Sequence, residues 1–317
     1  MSFCKEGLKW ALILIAPLAF LGCEKDSAVT GTGNLRIEMT DAPVDDAQVS
    51  GVFVTVSKVY IDGKLWEGMT GSQTIELTAL QNGNVQSMGI ADIDAKAYNQ
   101  MSVVLDLDHD ANGASPGCYV MTKDSKKHDL AASTASELTV DITGPEFEVA
   151  NDNTTTMVVD FDLRKALRYG NPNELSSNYA FGTSAEMRAA MRIVSKDRSG
   201  AIQGHCMDPI STSDKIIVYA YVKGTFNRTE EMSGAADEQF THAVTSAAVN
   251  AQGNYKLSFL EPGEYELIFA SYEDEGNNGT LDLQGTLSLQ ALLDPGAVTV
   301  GTASTVTLDI TVTGLLP

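Results

Sequence analysis

The segment Leu35-Arg36-Ile37-Glu38-Met39-Thr40 alternates apolar and polar residues, and Asp41-Ala42-Pro43 follows it as a turn. A second segment, Val49 to Ile61, again carries valines at every other position, and Asp62-Gly63 ends it with a hairpin signal. Alternation with a period of two is typical of a half-buried β-strand, because successive side chains of a strand point to opposite faces. These segments predict that the fold begins with β-strands.

The same pattern continues along most of the chain. Short runs of alternating or β-branched residues are separated by Gly, Asn, Asp and Pro, with few helical periods between them. We therefore expect an all-β protein with two β-sandwich domains of Greek-key type, immunoglobulin-like or transthyretin-like. Further strands are predicted in the first half at Thr74–Leu80, Gln100–Leu107, Cys118–Thr122, Glu137–Ile142 and Thr155–Leu163. Short helices are predicted at Asp92–Asn99, at Asp162–Tyr169, and at Ser184–Met191 with Ser184 as the N-cap.

The first half resembles a known family of bacterial lipoproteins. The resemblance rests on the Leu35–Pro43 segment, on Val52-Phe53-Val54-Thr55-Val56, and on Val158-Val159-Asp160-Phe161-Asp162-Leu163. These segments are similar to those of the domain-of-unknown-function family 4382, over about residues 33 to 195. The resemblance implies a β-sandwich and a cell-envelope setting, and it implies no activity.

A second unit begins near Ser199-Gly200. Ile216 to Val222 is a β-branched and aromatic run, and Gly253 to Leu267 alternates around a Pro-Gly turn. Over about residues 199 to 271 this unit resembles the carboxypeptidase-regulatory, transthyretin-like sandwich, which implies a spacer or a binding module. Ala297 to Val312 is predicted as one alternating strand.

The amino terminus has the pattern of an export signal. Lys5 and Lys9 precede an apolar run from Trp10 to Leu21 that is too short to span a bilayer as a helix. Phe20-Leu21-Gly22-Cys23 resembles the lipobox of bacterial lipoproteins, which implies lipidation at Cys23 after removal of the signal. The alternative is an ordinary cleaved signal with an incidental cysteine. We therefore expect a lipoprotein signal peptide at 1–22, a flexible tether at 23–33, and domains at 34–198 and 199–317.

The lipid anchor determines where the protein is expected to reside. Acyl chains on Cys23 would attach the protein to a membrane without spanning it. Glu24 follows the cysteine, and by resemblance to bacterial lipoproteins this residue favours the outer membrane. The body of the protein is then either periplasmic or surface-exposed.

The chain is acidic, with 42 Asp and Glu residues against 21 Lys and Arg residues and a formal net charge of -21 over 317 residues. Nucleic-acid binding needs a clustered positive face, so nucleic acid is not an expected partner. A hydrophobic fraction of 43% indicates a folded protein rather than a disordered acidic segment.

Two cysteines remain once Cys4 leaves with the signal and Cys23 is acylated. Cys118 and Cys206 would then lie in an oxidising compartment, where a disulfide between them is one interpretation. Two separate buried thiols are the other, because free cysteine packs as a small hydrophobic residue.

The sharpest local motif is the acidic loop Asp106 to Gly113. Asp106, Asp108, Asp110 and Asn112 carry oxygen atoms at alternate positions ahead of a glycine. Asp108, Asp110, Asn112 and Gly113 match the first half of a calcium-binding EF-hand loop. Calcium is the one cofactor that the sequence suggests. Tyr119 stands where the EF-hand glutamate is required, so a solvated acidic turn is the alternative.

No motif of a known catalytic class occurs in the sequence. Asp160 and Asp162 form a carboxylate pair on one strand face, a geometry that suits acid-base chemistry but equally a solvent-exposed face. We expect a non-enzymatic, lipid-anchored envelope protein that binds or adheres to an envelope or extracellular polymer or protein. The alternative is a polysaccharide-acting enzyme, using carboxylates such as Asp108, Asp110, Asp160 and Asp162, or a carbohydrate-binding accessory protein.

Overall fold

The computed structural model describes residues 31–42, 48–130, 135–169, 179–211, 213–233, 239–274 and 281–317. Within these ranges the strands form two sets that do not pair with each other. We call them the first β-body (residues 32–195) and the second β-body (residues 200–316). The predicted all-β fold class is confirmed. The assignment of the two bodies to separate domains at 34–198 and 199–317 stays a prediction.

The first β-body is a sandwich of two main sheets. Its strands are β1 (Thr32–Ala42), β2 (Val49–Ile61), β3 (Lys64–Leu65), β4 (Gln73–Glu76), β5 (Gln86–Asp94), β6 (Ala97–Asp106), β7 (Tyr119–Thr122), β8 (Lys127–Asp129), β9 (Glu137–Glu148), β10 (Thr154–Asp162), β11 (Leu167–Tyr169), β12 (Tyr179–Phe181) and β13 (Met191–Ser195). One sheet has the order β13-β10-β1-β5, and the other has the order β8-β7-β2-β6-β9, with β3 and β4 also paired to β2. The strands β11 and β12 form a separate pair.

Strand β1 carries one half of the core of this body. Leu35, Ile37 and Met39 are fully buried, as their alternation predicts, and they pack in one cluster with valines of β2 such as Val52 and Val54. Strand β1 runs parallel to β10 and antiparallel to β5. The parallel pairing brings Asp41 opposite Phe161 and Ala42 opposite Asp162, so the ends of β1 and β10 lie side by side. Asp41 and Ala42, predicted as part of a turn, therefore belong to β1.

Helices are few and short: α1 (Leu163–Ala166), α2 (Ser184–Ala190) and α3 (Arg228–Glu231), with a 3-10 turn at Leu77–Leu80. The N-cap of α2 is Thr183 and not the predicted Ser184. The Thr183 hydroxyl accepts from the Glu186 amide, while the Glu186 carboxylate accepts from the Thr183 amide at 2.6 Å. This reciprocal capping box satisfies two backbone donors, an arrangement that Ser184 at the N-cap would not give. No helix in the described part of the chain is long and apolar enough to cross a membrane.

The second β-body is one strongly bent sheet. Its strands are β14 (Gly200–Met207), β15 (Lys215–Val222), β16 (Thr245–Ala248), β17 (Asn254–Leu260), β18 (Gly263–Glu273), β19 (Asp282–Ala291), β20 (Val298–Val300), β21 (Thr305–Thr307) and β22 (Ile310–Leu316). The order is β16-β15-β18-β19-β22-β14-β17, with β20 paired to β18 and β21 paired to β14. Ala247 and Tyr255, from the two ends of this order, share one core, so the sheet folds over on itself.

Four sequence predictions of secondary structure are wrong in whole or in part. The predicted strand Thr74–Leu80 ends at Glu76 and continues as a 3-10 turn, and the predicted helix Asp162–Tyr169 is limited to Leu163–Ala166, before β11. The predicted helix at Asp92–Asn99 is the end of β5, a turn, and the start of β6. The predicted single strand Ala297–Val312 is three strands, because a turn at 301–304, with Ala303 at a φ of +50°, breaks the alternation. Leu308 and Asp309 then separate β21 from β22.

Candidate functional site: a charged junction and a polar groove

The predicted lipidation site, Cys23, lies outside the described residues, as do the signal peptide and the tether up to residue 30. Strand β1 begins at Thr32, so the last two residues of the predicted tether belong to the first β-body.

The predicted calcium ligands Asp106, Asp108, Asp110 and Asn112 do not converge. One Asp106 oxygen accepts the backbone N–H groups of Asp108 and His109, at 3.0 and 2.9 Å. One Asp110 oxygen likewise accepts from Asn112 and Ala114, and these backbone hydrogen bonds lower the pKa of Asp110. Over the described ranges, no three His, Cys, Asp or Glu side chains are grouped so that they could hold a metal ion. The carboxylates stabilise the turn in the way that Asx turns do, in place of the predicted convergence.

The predicted disulfide between Cys118 and Cys206 is not formed. Both residues are free thiols, and they lie in two different cores, one in each β-body. The Thr55 amide donates to Cys118 Sγ at 3.4 Å, and this thiol donates to the Asp106 carbonyl at 3.3 Å. The two sulfurs are therefore local packing groups, as the second interpretation of the sequence supposed.

The carboxylates of Asp160 and Asp162 share one face of β10, as the strand period predicts, but this face is buried and not solvated. Each carboxylate binds an arginine. Arg192 Nε donates to Asp160 Oδ2 at 2.8 Å, and Arg164 Nη2 donates to Asp162 Oδ2 at 2.9 Å. Burial raises the pKa of Asp160, whereas Arg164 and Lys165 outweigh burial and hold the pKa of Asp162 below its usual value.

Both arginines reach from the first β-body to the second. Arg192 Nη1 donates to the Phe259 carbonyl at 2.8 Å, and Arg164 Nη1 donates to the Phe240 carbonyl. Lys165 Nζ adds a hydrogen bond to the Ala243 carbonyl at 2.6 Å. We call Asp160, Asp162, Arg164, Arg192 and the two phenylalanine carbonyls the junction. A guanidinium suits this position because its planar fork can donate to a carboxylate and to a carbonyl at once.

The two accepting phenylalanines share an uncommon backbone conformation. Phe240 has a φ of +53° and Phe259 a φ of +56°, in the left-handed region that bulky residues rarely adopt. Phe259 lies in a bulge of β17, where Ser258 and Phe259 stand opposite the single residue Ala201 of β14. Phe240 is fully buried and stacks on Tyr219 with ring centroids 4.1 Å apart. The left-handed turns aim both carbonyls at the arginines.

A polar groove of about 430 Å³ lies on the second β-body. Strand β14 pairs with both β17 and β21, so Gln203 lies opposite Lys256 on one side and Thr307 on the other. His205 lies opposite Asn254. Paired residues project from the same face of a sheet, so these five side chains form the exposed floor of the groove.

One wall of the groove comes from the first β-body. Asn82 lines the groove, and Gly83, at a φ of +84°, brings this turn against β17. A Cβ atom at position 83 would lie 2.4 Å from Ser258 Oγ, so a side chain there would push the wall away. The Thr40 hydroxyl donates to the Asn84 carbonyl at 2.8 Å and fixes the same turn to β1. The first β-body therefore contributes Asn82 to a groove whose other side chains come from the second β-body.

The groove side chains are mostly uncharged hydrogen-bonding groups. Asn250 Oδ1 accepts from the amides of Gln252 and Asn254, which leaves its NH₂ group to donate. Asp309 Oδ1 accepts from the His205 amide at 2.9 Å. Lys256 and Asp309 carry opposite charges, so the groove is close to neutral within a strongly acidic chain.

A second depression, of about 500 Å³, continues the groove along the sheet. The two depressions share His205 and Asp309, and the second ends at Met207 and Leu292. Met207 is half exposed and Leu292 fully exposed. Together they make an elongated groove that is polar at one end and flanked by apolar groups at the other.

Cys206 is buried and His205 exposed, so these two neighbours point to opposite faces of β14. Trp66 is 3% exposed and belongs to the core of the first β-body. Arg164, Arg192 and the groove were not predicted; the Asp160-Phe161-Asp162 alternation was the one signal that pointed toward the junction.

A known protein family matches only part of the chain. Residues 32–177 match the family model described as Domain of unknown function (DUF4382). No curated protein matches the chain.

Several solved structures align at about 10% identity. The TIE protein of Bacillus anthracis aligns over 89% of this chain and 34% of its own, with a TM-score of 0.19. The minor pilin GBS52 of Streptococcus agalactiae aligns over 89% and 98%, with a TM-score of 0.21. The major pilin BcpA of Bacillus cereus aligns over 89% and 70%, with a TM-score of 0.19. The chain thus spans about a third of the TIE protein, and TM-scores this low do not establish a shared fold.

The family match covers β1 and β10 and the residues Asp160, Asp162 and Arg164 of the junction. Arg192 and all of the second β-body lie beyond it. The resemblance of the first half of the chain to DUF4382 is thereby confirmed over residues 32–177.

Proposed function

We propose that the protein is a non-enzymatic, lipid-anchored protein of the bacterial cell envelope that binds an envelope or extracellular polymer. The polar groove carries this proposal. It is elongated, open, and built by both β-bodies, and concave sites between structural units are common ligand sites. Rigid sheet strands supply its floor, so its side chains are held in place before a ligand arrives.

The competing proposal, a polysaccharide-acting enzyme, has less support. Glycosidase chemistry needs two carboxylates about 5 to 10 Å apart across a cleft. Asp160 and Asp162 are buried against arginines, and Asp110 accepts backbone amides of its own turn. None of these three carboxylates lines the groove, which leaves Asp309 as the carboxylate there.

The envelope location rests on the lipobox resemblance at Cys23, with Glu24 favouring the outer membrane. A metabolic label tests it directly. Cells fed an alkyne-tagged fatty acid should label the parent protein, and Cys23→Ser should abolish both the label and membrane retention. Cys4→Ser is the matched control, because Cys4 lies in the segment that the signal peptidase removes. An unlabelled parent protein would contradict the anchor.

The second β-body is proposed as a carboxypeptidase-regulatory-like module. Support comes from Gly253 to Leu267, where the alternating segments are β17 and β18, joined at Glu261-Pro262. In this proposal the second β-body supplies the floor of the binding site, and the DUF4382 part supplies the wall.

The binding proposal is tested with the full chain in detergent micelles and soluble polymer extracted from envelopes of the cells that express it. Gln203→Ala/Asn254→Ala removes two exposed side chains of the groove floor. Asn99→Ala/Gln100→Ala removes the same two residue types from exposed positions of β6 and serves as the control. We expect the groove variant to lose binding and the control to keep it. If the parent binds no envelope material, the proposed function is wrong.

A further inference from the structure

We infer that the polar groove binds an extended, neutral, hydroxyl-rich glycan chain. This inference rests on the proposed function and specifies the ligand class of the same site. It follows from the shape of the groove, its hydrogen-bonding groups, and its charge.

The shape favours a polymer over a compact small molecule. The sections of about 430 and 500 Å³ join at His205 and Asp309 on one continuous sheet face. Register places Gln203, Thr307 and Lys256 side by side. The row of His205 and Asn254 follows, and Gln290, Thr311 and Met207 form the row beyond it. The floor is therefore several strands wide and open along its length.

The chemistry favours hydroxyl groups. Four amide side chains line the polar section, and each amide group offers both donors and an acceptor. The hydroxyls of a sugar also donate and accept, so neighbouring amides match pairs of hydroxyls. They lie on Asn82, Gln203, Asn250 and Asn254.

A peptide in β-addition does not fit this floor. Strand addition requires an unpaired strand edge. Strand β14, at the centre of the floor, pairs with β17 on one side and with β21 and β22 on the other. Its backbone groups are used within the sheet, so recognition over β14 comes from side chains.

The charges of the groove and of the whole chain favour a neutral glycan over an acidic one. Lys256 and Asp309 balance each other within the groove, while the whole chain carries -21. A polyanion would approach against this negative field and find no cluster of cations. At the far end, Met207 and Leu292 offer apolar surface against which the C–H faces of a sugar ring can pack.

The test uses the full chain in detergent micelles. The ligand is envelope polysaccharide that has been freed of protein by protease digestion, and anion exchange divides this polysaccharide into a neutral and an acidic fraction. We expect the neutral fraction to bind. Gln203→Ala/Asn254→Ala should weaken its affinity about tenfold or more, because two hydrogen bonds to the ligand are lost. Asn99→Ala/Gln100→Ala should stay within about twofold. Periodate oxidation of the polysaccharide, which cleaves vicinal diols, should abolish binding.

Three results would overturn the inference: no binding of the neutral fraction, equal affinity of parent and groove variant, or binding that survives periodate. Thermal unfolding of each variant shows whether it is folded as the parent is. Should the groove instead bind undigested envelope material through its protein component, the glycan inference fails and the proposed function stands. Should the parent bind neither preparation, both fail.

Discussion

Arg192 joins the two β-bodies through a carboxylate and a carbonyl: its Nε donates to Asp160 Oδ2 at 2.8 Å, and its Nη1 donates to the Phe259 carbonyl at 2.8 Å. Asp160 is 4% exposed, so it depends on this partner for its charge. Arg164 repeats the arrangement with Asp162 and Phe240. Two adjacent carboxylates of one strand thus orient two arginines toward the second β-body.

The first prediction concerns the Asp160–Arg192 pair. Arg192→Ala should lower the free energy of unfolding by about 3 to 5 kcal/mol, because it leaves a buried carboxylate without its cation. The double variant Asp160→Asn/Arg192→Ala should cost less than the sum of the single variants, since the second change removes the orphaned charge. Denaturant unfolding of the four proteins measures the coupling.

An exposed ion pair provides the control. Lys58 and Glu137 lie 2.9 Å apart with side chains 43% and 45% exposed. Lys58→Ala should change the free energy of unfolding far less than Arg192→Ala does, because water screens such pairs. Equal costs at Lys58 and Arg192 would mean that the junction is not stabilising.

The alternation of Asp160 and Asp162 was visible in the sequence, whereas the burial of their face was not. A strand period tells which residues share a face but not what covers that face. Here the cover is the segment around Phe240 and the bulge at Phe259, both more than 70 residues away in sequence. Junction and groove depend on such long-range packing, so the sequence alone predicts neither.

Local patterns predicted the strands well where apolar alternation was strong and failed where it was weak. Strands β1 and β2 lie close to their predicted positions because their valines, leucine, isoleucine and methionine mark a buried face. Strand β5 was missed: its segment Gln86–Asp94 contains Gly and Asp, which are depleted in strands, and it lies at a sheet edge. Its pairing with β1 overrides the poor local propensity.

The second prediction concerns the left-handed backbone of Phe259. Glycine adopts a positive φ without steric cost, whereas the same backbone conformation destabilises alanine by about 1 kcal/mol. Phe259→Gly should therefore be more stable than Phe259→Ala by about that amount. Both variants lose the same phenyl ring, so the comparison isolates the backbone. Denaturant unfolding measures the difference.

At the neighbouring residue Ser258 we expect the opposite order of stability for the glycine and alanine variants. It lies in the same strand and is not among the residues of positive φ in the described chain. Ser258→Ala should be more stable than Ser258→Gly by about 0.5 to 1 kcal/mol, as at ordinary strand positions. The same order at both positions would contradict a left-handed conformation at Phe259.

The third prediction concerns acid and the capping box of α2. Hydrogen bonds from Arg168 and from Thr183 lower the pKa of Glu186 from 4.5 to about 2. A carboxylate with a lowered pKa stabilises the folded state above its ordinary pKa, and this contribution is lost as the pH falls toward 2. The stability difference between the parent and Glu186→Gln should be constant above about pH 5 and disappear near pH 2.

Unfolding curves collected from pH 7 to pH 2 measure this difference. Glu67→Gln, at an exposed position outside any helix, is the control for the loss of one carboxylate from the chain. A Glu186→Gln difference that stays the same at pH 2 would show that charge on this residue does not stabilise α2.

The last prediction concerns the two buried thiols. Burial raises the pKa of Cys118 to about 12 and the pKa of Cys206 to about 11. The thiolate is the reactive form, so both cysteines should resist N-ethylmaleimide at pH 8 in the folded protein and react fully in denaturant without any reductant. Peptide mapping by mass spectrometry, with a reduced sample as reference, identifies each site. Peptides of Cys118 and Cys206 that stay linked until reductant is added would contradict two separate thiols. Such a bond would require the first and second cores to open toward each other, because each sulfur now lies within its own body.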